Sequence, residues 1–330
     1  VSILDEVTQT LARHESWLVL AHEKPDGDTF GCTAALASLG GRLGKKVLWG
    51  GRDEAPTRYA FLTGGMPYES FSRVPLDKIE KGTLIICVDT STAERSVDGL
   101  TEAGAEYPIL NIDHHADNKK FGTVNWLDAA ASATGEMITE LLVSSGWGVS
   151  PFEAAALYAA IISDNGSFRF ASTSIRSHLC AIELLKAGAR PSEIAKEIDS
   201  SLSVGALRLW GRALSRAETF SDGKAALFWL REDDFSVTGS SQADTENLVN
   251  FLLRVKGVQL AALLSEAGDE ARVSLRAREP MNARAVAQLY GGGGHDLAAG
   301  YRIRGSVPSI LSALRGVMEA HIEDRLACDR

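Results

Sequence analysis

At 330 residues and 45% hydrophobic, the chain can bury about two domains' worth of core. Its net charge of −9 excludes coating of long nucleic acid by counterion release alone, but leaves room for a short nucleotide in a local basic pocket. Four scattered cysteines (Cys32, Cys87, Cys180, Cys328) exclude a disulfide framework or zinc knuckle, and no apolar run approaches the ~20 residues of a membrane span.

In chain order, Ile3, Leu4, Val7 and Leu11 recur at helical spacing. The charged start (Asp5, Glu6, Arg13, His14, Glu15) does not read as a secretion signal, so a cytoplasmic protein is expected. Trp17–Ala21 is an apolar strand, followed by His22, Asp26 and Asp28 in a turn that Pro25 and Gly27 tighten, then a helical pattern from Thr33 to Leu39. On its own, a polar turn with a helix-capping Asp accounts for this stretch equally well. Strands are predicted at 45–50, 83–88 and 108–112. The stretch 52–75 reads as mostly irregular, and helices are expected at 133–145 and 152–162. The strand at 83–88 ends on Asp89, the one at 108–112 on Asp113-His114-His115, and the second helix on Ser163-Asp164. Alternating strands and helices imply an α/β unit with a doubly wound, mostly parallel sheet, in which ligands gather beyond the carboxyl ends of the strands.

Helices follow at 174–187 and 193–198, and 201–219 reads as a helical connector. The expected domains are 1–190, a connector over 191–220, and a smaller mixed α/β domain over 221–330. Within the last, 224–230 and 258–266 read as strands, the latter forming a hairpin with 271–278; a helix is expected at 282–289, a strand near 301–304 and a final helix from about 308.

The strand-end groups point to metal chemistry. Crowded carboxylates repel unless a cation sits among them, and neutral His with Asp suits Mn²⁺, Zn²⁺ or Fe²⁺. Asp89, ending the most apolar strand, is the candidate bridge. His22, Asp26 and Asp89 would hold one ion, and Asp28, Asp89, His114 and Asp164 the other, the pair stabilising displacement at phosphorus. Asp113 reads as the acceptor that orients a histidine. His115 reads either as a phosphate contact or as a structural histidine, Asp164 as a ligand or a turn former, and Cys32 as a small buried residue rather than a soft ligand. In the C-terminal half, Gly292, Gly293 and Gly294 let backbone N–H groups approach an anion, and His295 could donate to it. Arg276 and Arg278, two apart on a predicted strand, point the same way. A solvated face is an equal reading for Arg278.

His22-x-x-Pro25-Asp26-Gly27-Asp28, Val88-Asp89-Thr90, Asp113-His114-His115 and Ser163-Asp164 together resemble the motifs of the DHH phosphoesterase superfamily. Gly292-Gly293-Gly294-His295-x-x-Ala298-Ala299-Gly300 resembles the signature of its DHHA1 C-terminal domain. The resemblance spans essentially the whole chain, and its layout is similar to the oligoribonuclease and 3′-phosphoadenosine-5′-phosphate phosphatase subgroup. It implies a smaller domain closing over the cleft, two Mn²⁺ ions on the ligands named above, and a substrate role for Arg276. It further implies hydrolysis of short oligoribonucleotides to nucleoside 5′-monophosphates and of 3′-phosphoadenosine-5′-phosphate to AMP. Short RNA or small nucleotides are the expected partners, with no membrane and no long duplex; a homodimer is left open.

The chain departs from the pattern at Cys32, where Ser is frequent, at Asn165, where Thr is, and at Asp296, where a basic residue is. The first two are expected not to touch metal binding, and the third to add negative charge near a phosphate pocket. A linear or cyclic dinucleotide phosphodiesterase is the nearest alternative. A RecJ-like single-stranded DNA exonuclease would carry an added OB-fold and a longer basic surface, neither of which is found. A superfamily pyrophosphatase would lack the glycine–His signature. A catalytically silent nucleotide sensor carries little weight, because every expected ligand is present.

Overall fold

The computed structural model describes residues 2–64, 66–199, 203–245 and 247–328. It divides into two compact units, Val1–Ser201 and Leu202–Arg330. This division falls inside the segment read as the connector: the helix Pro191–Asp199 packs with elements of the first unit, and Val204–Leu214 with elements of the second.

The first unit runs α1 (Ile3–Arg13), β1 (Ser16–Ala21), α2 (Gly27–Arg42), β2 (Lys46–Gly51), a 3-10 helix (Thr57–Thr63), β3 (Glu69–Ser70), β4 (Leu84–Val88), α3 (Leu100–Ala103), β5 (Ile109–Asp113), β6 (Val124–Leu127), α4 (Thr134–Ser144), α5 (Pro151–Asp164), α6 (Ile175–Lys186) and α7 (Pro191–Asp199). Six parallel strands lie in the order β3-β2-β1-β4-β5-β6. Strand side chains alternate between two cores. Trp17, Val19, Ile86, Val88, Leu110 and Ile112 pack with residues of α1, α2, α4 and α5. Leu18, Leu20, Ile85, Cys87 and Ile109 pack under Phe71, Val74, Val97, Leu100 and Tyr107. Burial on both faces explains why β4 is apolar at every position.

Several boundaries differ from expectation. α2 begins at Gly27, so Asp28 lies on the helix rather than in the turn before it. The stretch 52–75 contains the 3-10 helix and β3, and β6 carried no apolar run to announce it.

The second unit runs α8 (Val204–Leu214), β7 (Glu218–Phe220), β8 (Ala225–Leu230), α9 (Glu232–Thr238), two 3-10 helices (Gln242–Thr245, Leu248–Arg254), β9 (Leu260–Ala267), β10 (Glu270–Ala277), α10 (Ala283–Gln288), β11 (Gly293–His295), β12 (Ala298–Arg304) and α11 (Val307–Cys328). Its mixed sheet is ordered β11-β12-β10-β9-β8-β7. The expected helix over 201–219 stops at Leu214 and gives way to β7; the strand expected near 301 begins at Ala298. Among the described residues no helix is long and apolar enough to cross a membrane.

Candidate metal centre

In this strand order the chain winds outward in both directions from β1 and β4, and that switch point is where an open parallel sheet leaves a crevice. His22 follows β1 directly, Asp89 follows β4, and Asp113 closes β5 ahead of His114 and His115. Asp26 is the N-cap of α2, its Oδ1 accepting the N–H groups of Asp28 and Thr29 at 3.1 Å each. Asp164 is the last residue of α5.

Close helix packing brings these groups together. A Cβ at Gly27 would lie 2.5 Å from Ser163 Oγ and 2.6 Å from Tyr59 OH. One at Gly31 would collide with the Ala156 carbonyl, and one at Gly135 would come 2.9 Å from the Ala160 Cβ. α2, α4 and α5 therefore meet through glycine and alanine, which draws Asp28 and Asp164 to one end of the sheet. We expect Gly31→Val to cost about 1–3 kcal/mol by overpacking against backbone that cannot yield. A urea midpoint shifted down in that variant, with the slope unchanged, is the check.

The donor atoms fall into overlapping groups, each spanning no more than 4.8 Å: His22, Asp26 and Asp89; Asp28, His114 and Asp164; and Asp89, His114 and His115. Asp89 reaches both sides. Its Oδ2 lies 3.6 Å from His22 Nε2, and its Oδ1 lies 3.4 Å from His114 Nε2 and 3.6 Å from His115 Nδ1. His114 Nε2 is also 3.2 Å from Asp164 Oδ2 and 4.0 Å from Asp28 Oδ2. The Nδ1 of His22 donates to Glu23 O (2.7 Å) and that of His114 to Ala131 O (3.2 Å). A carbonyl can only accept, so each ring turns Nε2 toward the carboxylates, the orientation a ligating imidazole needs. Asp113 accepts from His115 Nδ1 at 2.7 Å and from Asn118 Nδ2 at 2.6 Å, which fixes the His115 ring.

Asp28 has a second task that the sequence concealed. The N-cap of α4 is Ala133, which has no side-chain acceptor. Asp28 takes its place: Oδ2 accepts Thr134 N–H at 2.6 Å and Oδ1 accepts Gly135 N–H at 2.9 Å, while Thr134 Oγ1 donates to Asp89 Oδ1 at 3.2 Å. A helix starting after Ala-Ser-Ala with no capping residue was the available signal. Cys32, expected to leave the metal site alone, donates from Sγ to Asp28 Oδ1 at 3.3 Å, and its thiol is pushed up by burial, then by Asp28. Asn165 accepts Phe168 N–H and shapes the turn after α5.

The electrostatics are those of a cation site. Burial, then Asp89 and Asp164, hold Asp28 well above the usual carboxylate range. Asp164 is raised to about 6 by burial and by Asp89 and Asp26, against the pull of His114. Burial alone would lower the histidines, but Asp26 and Asp89 lift His22 to about 10, and Asp164, Asp89 and Asp28 lift His114 in the same direction. Four converging carboxylates answered by inward-facing ring nitrogens form a donor set suited to divalent metal ions.

In the second unit, Arg276 lies on β10, but Arg278 falls beyond it: its N–H donates to Gln259 O. That bond continues the β9–β10 register one step past the end of β10 at Ala277, so the strand is one residue shorter than expected. The end of the glycine run folds as the strand β11, with Gly293 opposite Gly300 and His295 opposite Ala298. Gly292 admits the Tyr301 Cβ, and a Cβ at Gly294 would lie 2.5 Å from Ala298 O. The His295 side chain lies outside the described residues. Asp296 is paired with Arg284 at 2.7 Å, which offsets the extra negative charge expected there.

Residues 16–161 match the model of the DHH family, N-terminal domain, and residues 235–320 that of the DHHA1 domain. The chain is 28% identical over 307 residues to the bifunctional oligoribonuclease and PAP phosphatase NrnA of Bacillus subtilis, covering 90% of this chain and 92% of that one. It is 29% identical over 287 residues to the protein of the same description in Thermus thermophilus, covering 87% and 84%. Among solved structures, an exopolyphosphatase-related protein from Bacteroides fragilis shares the fold with a TM-score of 0.88 at 23% identity, covering 98% and 96%.

Proposed function

We infer, from its membership of the DHH–DHHA1 phosphoesterases and from the position of Asp89, that this chain hydrolyses short oligoribonucleotides to nucleoside 5′-monophosphates and 3′-phosphoadenosine-5′-phosphate to AMP. The observation that carries the reading is the Asp89 carboxylate, one oxygen turned to His22 and the other to His114. Two divalent ions, for which Mn²⁺ suits the donors, would be held by His22, Asp26 and Asp89 and by Asp28, Asp89, His114 and Asp164; when bound they supply positive charge and acidify water. Water adds to phosphorus, the bond from phosphorus to the ribose oxygen breaks, and that oxygen takes up a proton. His115, its Nδ1 donating to Asp113, would as an imidazolium donate from Nε2 to a phosphoryl oxygen. Arg276 and the glycine run Gly292, Gly293 and Gly294 with His295 are assigned to substrate phosphate. The buried, unpaired Cys32, Cys87 and Cys180 suit a cytoplasmic setting.

The test is product analysis with Mn²⁺ on 5′-phosphorylated RNA of two to five nucleotides and on 3′-phosphoadenosine-5′-phosphate, beside cyclic di-AMP and single-stranded DNA. Monophosphates from the first two are expected. Turnover confined to the cyclic dinucleotide or to DNA would sink the reading. Arg276→Ala should raise KM for short RNA about tenfold, the scale of one charge-assisted hydrogen-bonded contact, with a smaller change in kcat.

A further inference from the structure

The β10–β12 pair that carries Arg276 is buried on one face and half-buried to exposed on the other, where the adjoining Ala261 and Leu263 of β9 are covered by Leu248, Val249 and Leu252. Ala271, Val273, Leu275 and Ala277 of β10, with Ala299 and Tyr301 of β12, are buried in the core beside residues of α10 and α11. Alternation puts Arg272, Ser274 and Arg276 on the opposite face, with Ala298, Gly300, Arg302 and Arg304. The register pairs Arg276 with Ala298, Ser274 with Gly300, Arg272 with Arg302 and Glu270 with Arg304. A row of small residues thus separates Arg276 from two arginines standing directly opposite each other. Like charges so placed destabilise a sheet. Arg304 pairs with Asp269 and Glu270, and Arg302 lies 3.8 Å from Glu270, but among the described residues Arg272 has no carboxylate partner. Both Arg272 and Arg302 are exposed.

We propose that this face is a track for the backbone of a single-stranded oligonucleotide, with one phosphate at Arg276 and another at the Arg272–Arg302 pair. Four strand residues separate the two stations, about 13 Å, which an extended single strand covers in about two nucleotides. The Ser274–Gly300 row between them presents no bulk, so the strand can lie against the sheet. Glu270 and Asp269 close the far end with negative charge, which limits the length that is held. The proposal rests on the functional reading above and extends it by assigning the residues that favour a pentanucleotide over a dinucleotide.

The experiment measures binding of methylenephosphonate-linked oligoadenylates, which resist hydrolysis, to the full chain with Mn²⁺ by fluorescence anisotropy at several salt concentrations. The wild type should bind the pentamer at least tenfold more tightly than the dimer. The double variant Arg272→Ser/Arg302→Ser should reduce that ratio to within threefold. Its log Kd against log salt for the pentamer should become shallower by about 0.7, the loss of one phosphate contact. Arg208→Ser, which removes an exposed arginine from α8, should change neither quantity. Thermal melting checks folding, and removal of the opposed charges should leave the melting temperature equal or higher. An unchanged ratio and slope, an equal loss for both oligomers, or no binding by the wild type overturns the track. Length-dependent binding that the double variant abolishes, without turnover of hydrolysable RNA, would sustain the track while defeating the functional reading.

Discussion

Asp89→Asn should lower kcat for short RNA in Mn²⁺ by about a thousandfold, and the purified variant should hold less metal than the wild type. The choice of asparagine isolates charge. Asp89 sits at φ +55°, a backbone region that Asn tolerates and most residues do not, so alanine would add strain to any chemical loss. The Asn carbonyl can still accept from Thr134 Oγ1, as Asp89 Oδ1 does at 3.2 Å. What disappears is the negative charge shared between His22, 3.6 Å from Oδ2, and His114, 3.4 Å from Oδ1. A residue serving one donor group alone would weaken one ion; a shared one disables both. Asp113→Asn is the contrast: Asp113 acts through the His115 ring, so a loss of about 10- to 100-fold is expected there. Activity in Asp89→Asn above a tenth of wild type, or full metal content, would contradict a bridging role.

The site was legible in the sequence where a side chain's place follows from the strand that precedes it. The run Leu84–Val88 had to be a buried strand, and a charged residue ending it has to lie at the sheet's carboxyl edge. The same logic placed His22 and the Asp113–His115 group. It failed for Asp28, because Pro25 and Gly27 read as a turn. Gly27 is helical, and its lack of a side chain serves contact with Ser163 and Tyr59, more than thirty residues away in sequence. Nor could local reading show that Asp28 caps α4, since the cap and the helix are 106 positions apart. The alternation rule used for the arginines was sound, and β10 ends one residue earlier than expected. Arg276 shares its face with Arg272, and Arg302 joins them only through the pairing of β10 with β12. The glycine run read as backbone open to an anion; sequence could not reveal the neighbouring strand whose closeness excludes side chains at Gly292 and Gly294.

Loading the site with metal should expel at least two protons for two ions at pH 7.5, one each from His22 and His114, with any held by the raised Asp28 carboxyl in addition. Without bound cations these rings are the positive charges that neutralise the carboxylates. Burial opposes their protonation, but Asp26 and Asp89 hold His22 at about 10, and His114 is raised by Asp164, Asp89 and Asp28. Nε2 faces the carboxylates in both rings and must lose its proton to become a ligand, whereas Nδ1 keeps its own for a backbone carbonyl. Apparent affinity should therefore rise about tenfold per pH unit for each histidine between pH 7 and 9. The sign for folding is opposite. A folded-state histidine value raised to about 10 gives stability that is fully present below about 6.5 and lost as pH rises through 10, so chelated protein should lose melting temperature over that interval. Protein saturated with Mn²⁺ should not, because the ions replace the imidazolium charges and stabilise by mass action. Calorimetric titration of Mn²⁺ in two buffers of different ionisation enthalpy counts the protons directly. His22→Asn should release one fewer. A count near zero in the wild type would mean that neither Nε2 ligates, and the grouping of His22 with Asp89 and of His114 with Asp164 would have to be abandoned as a metal centre.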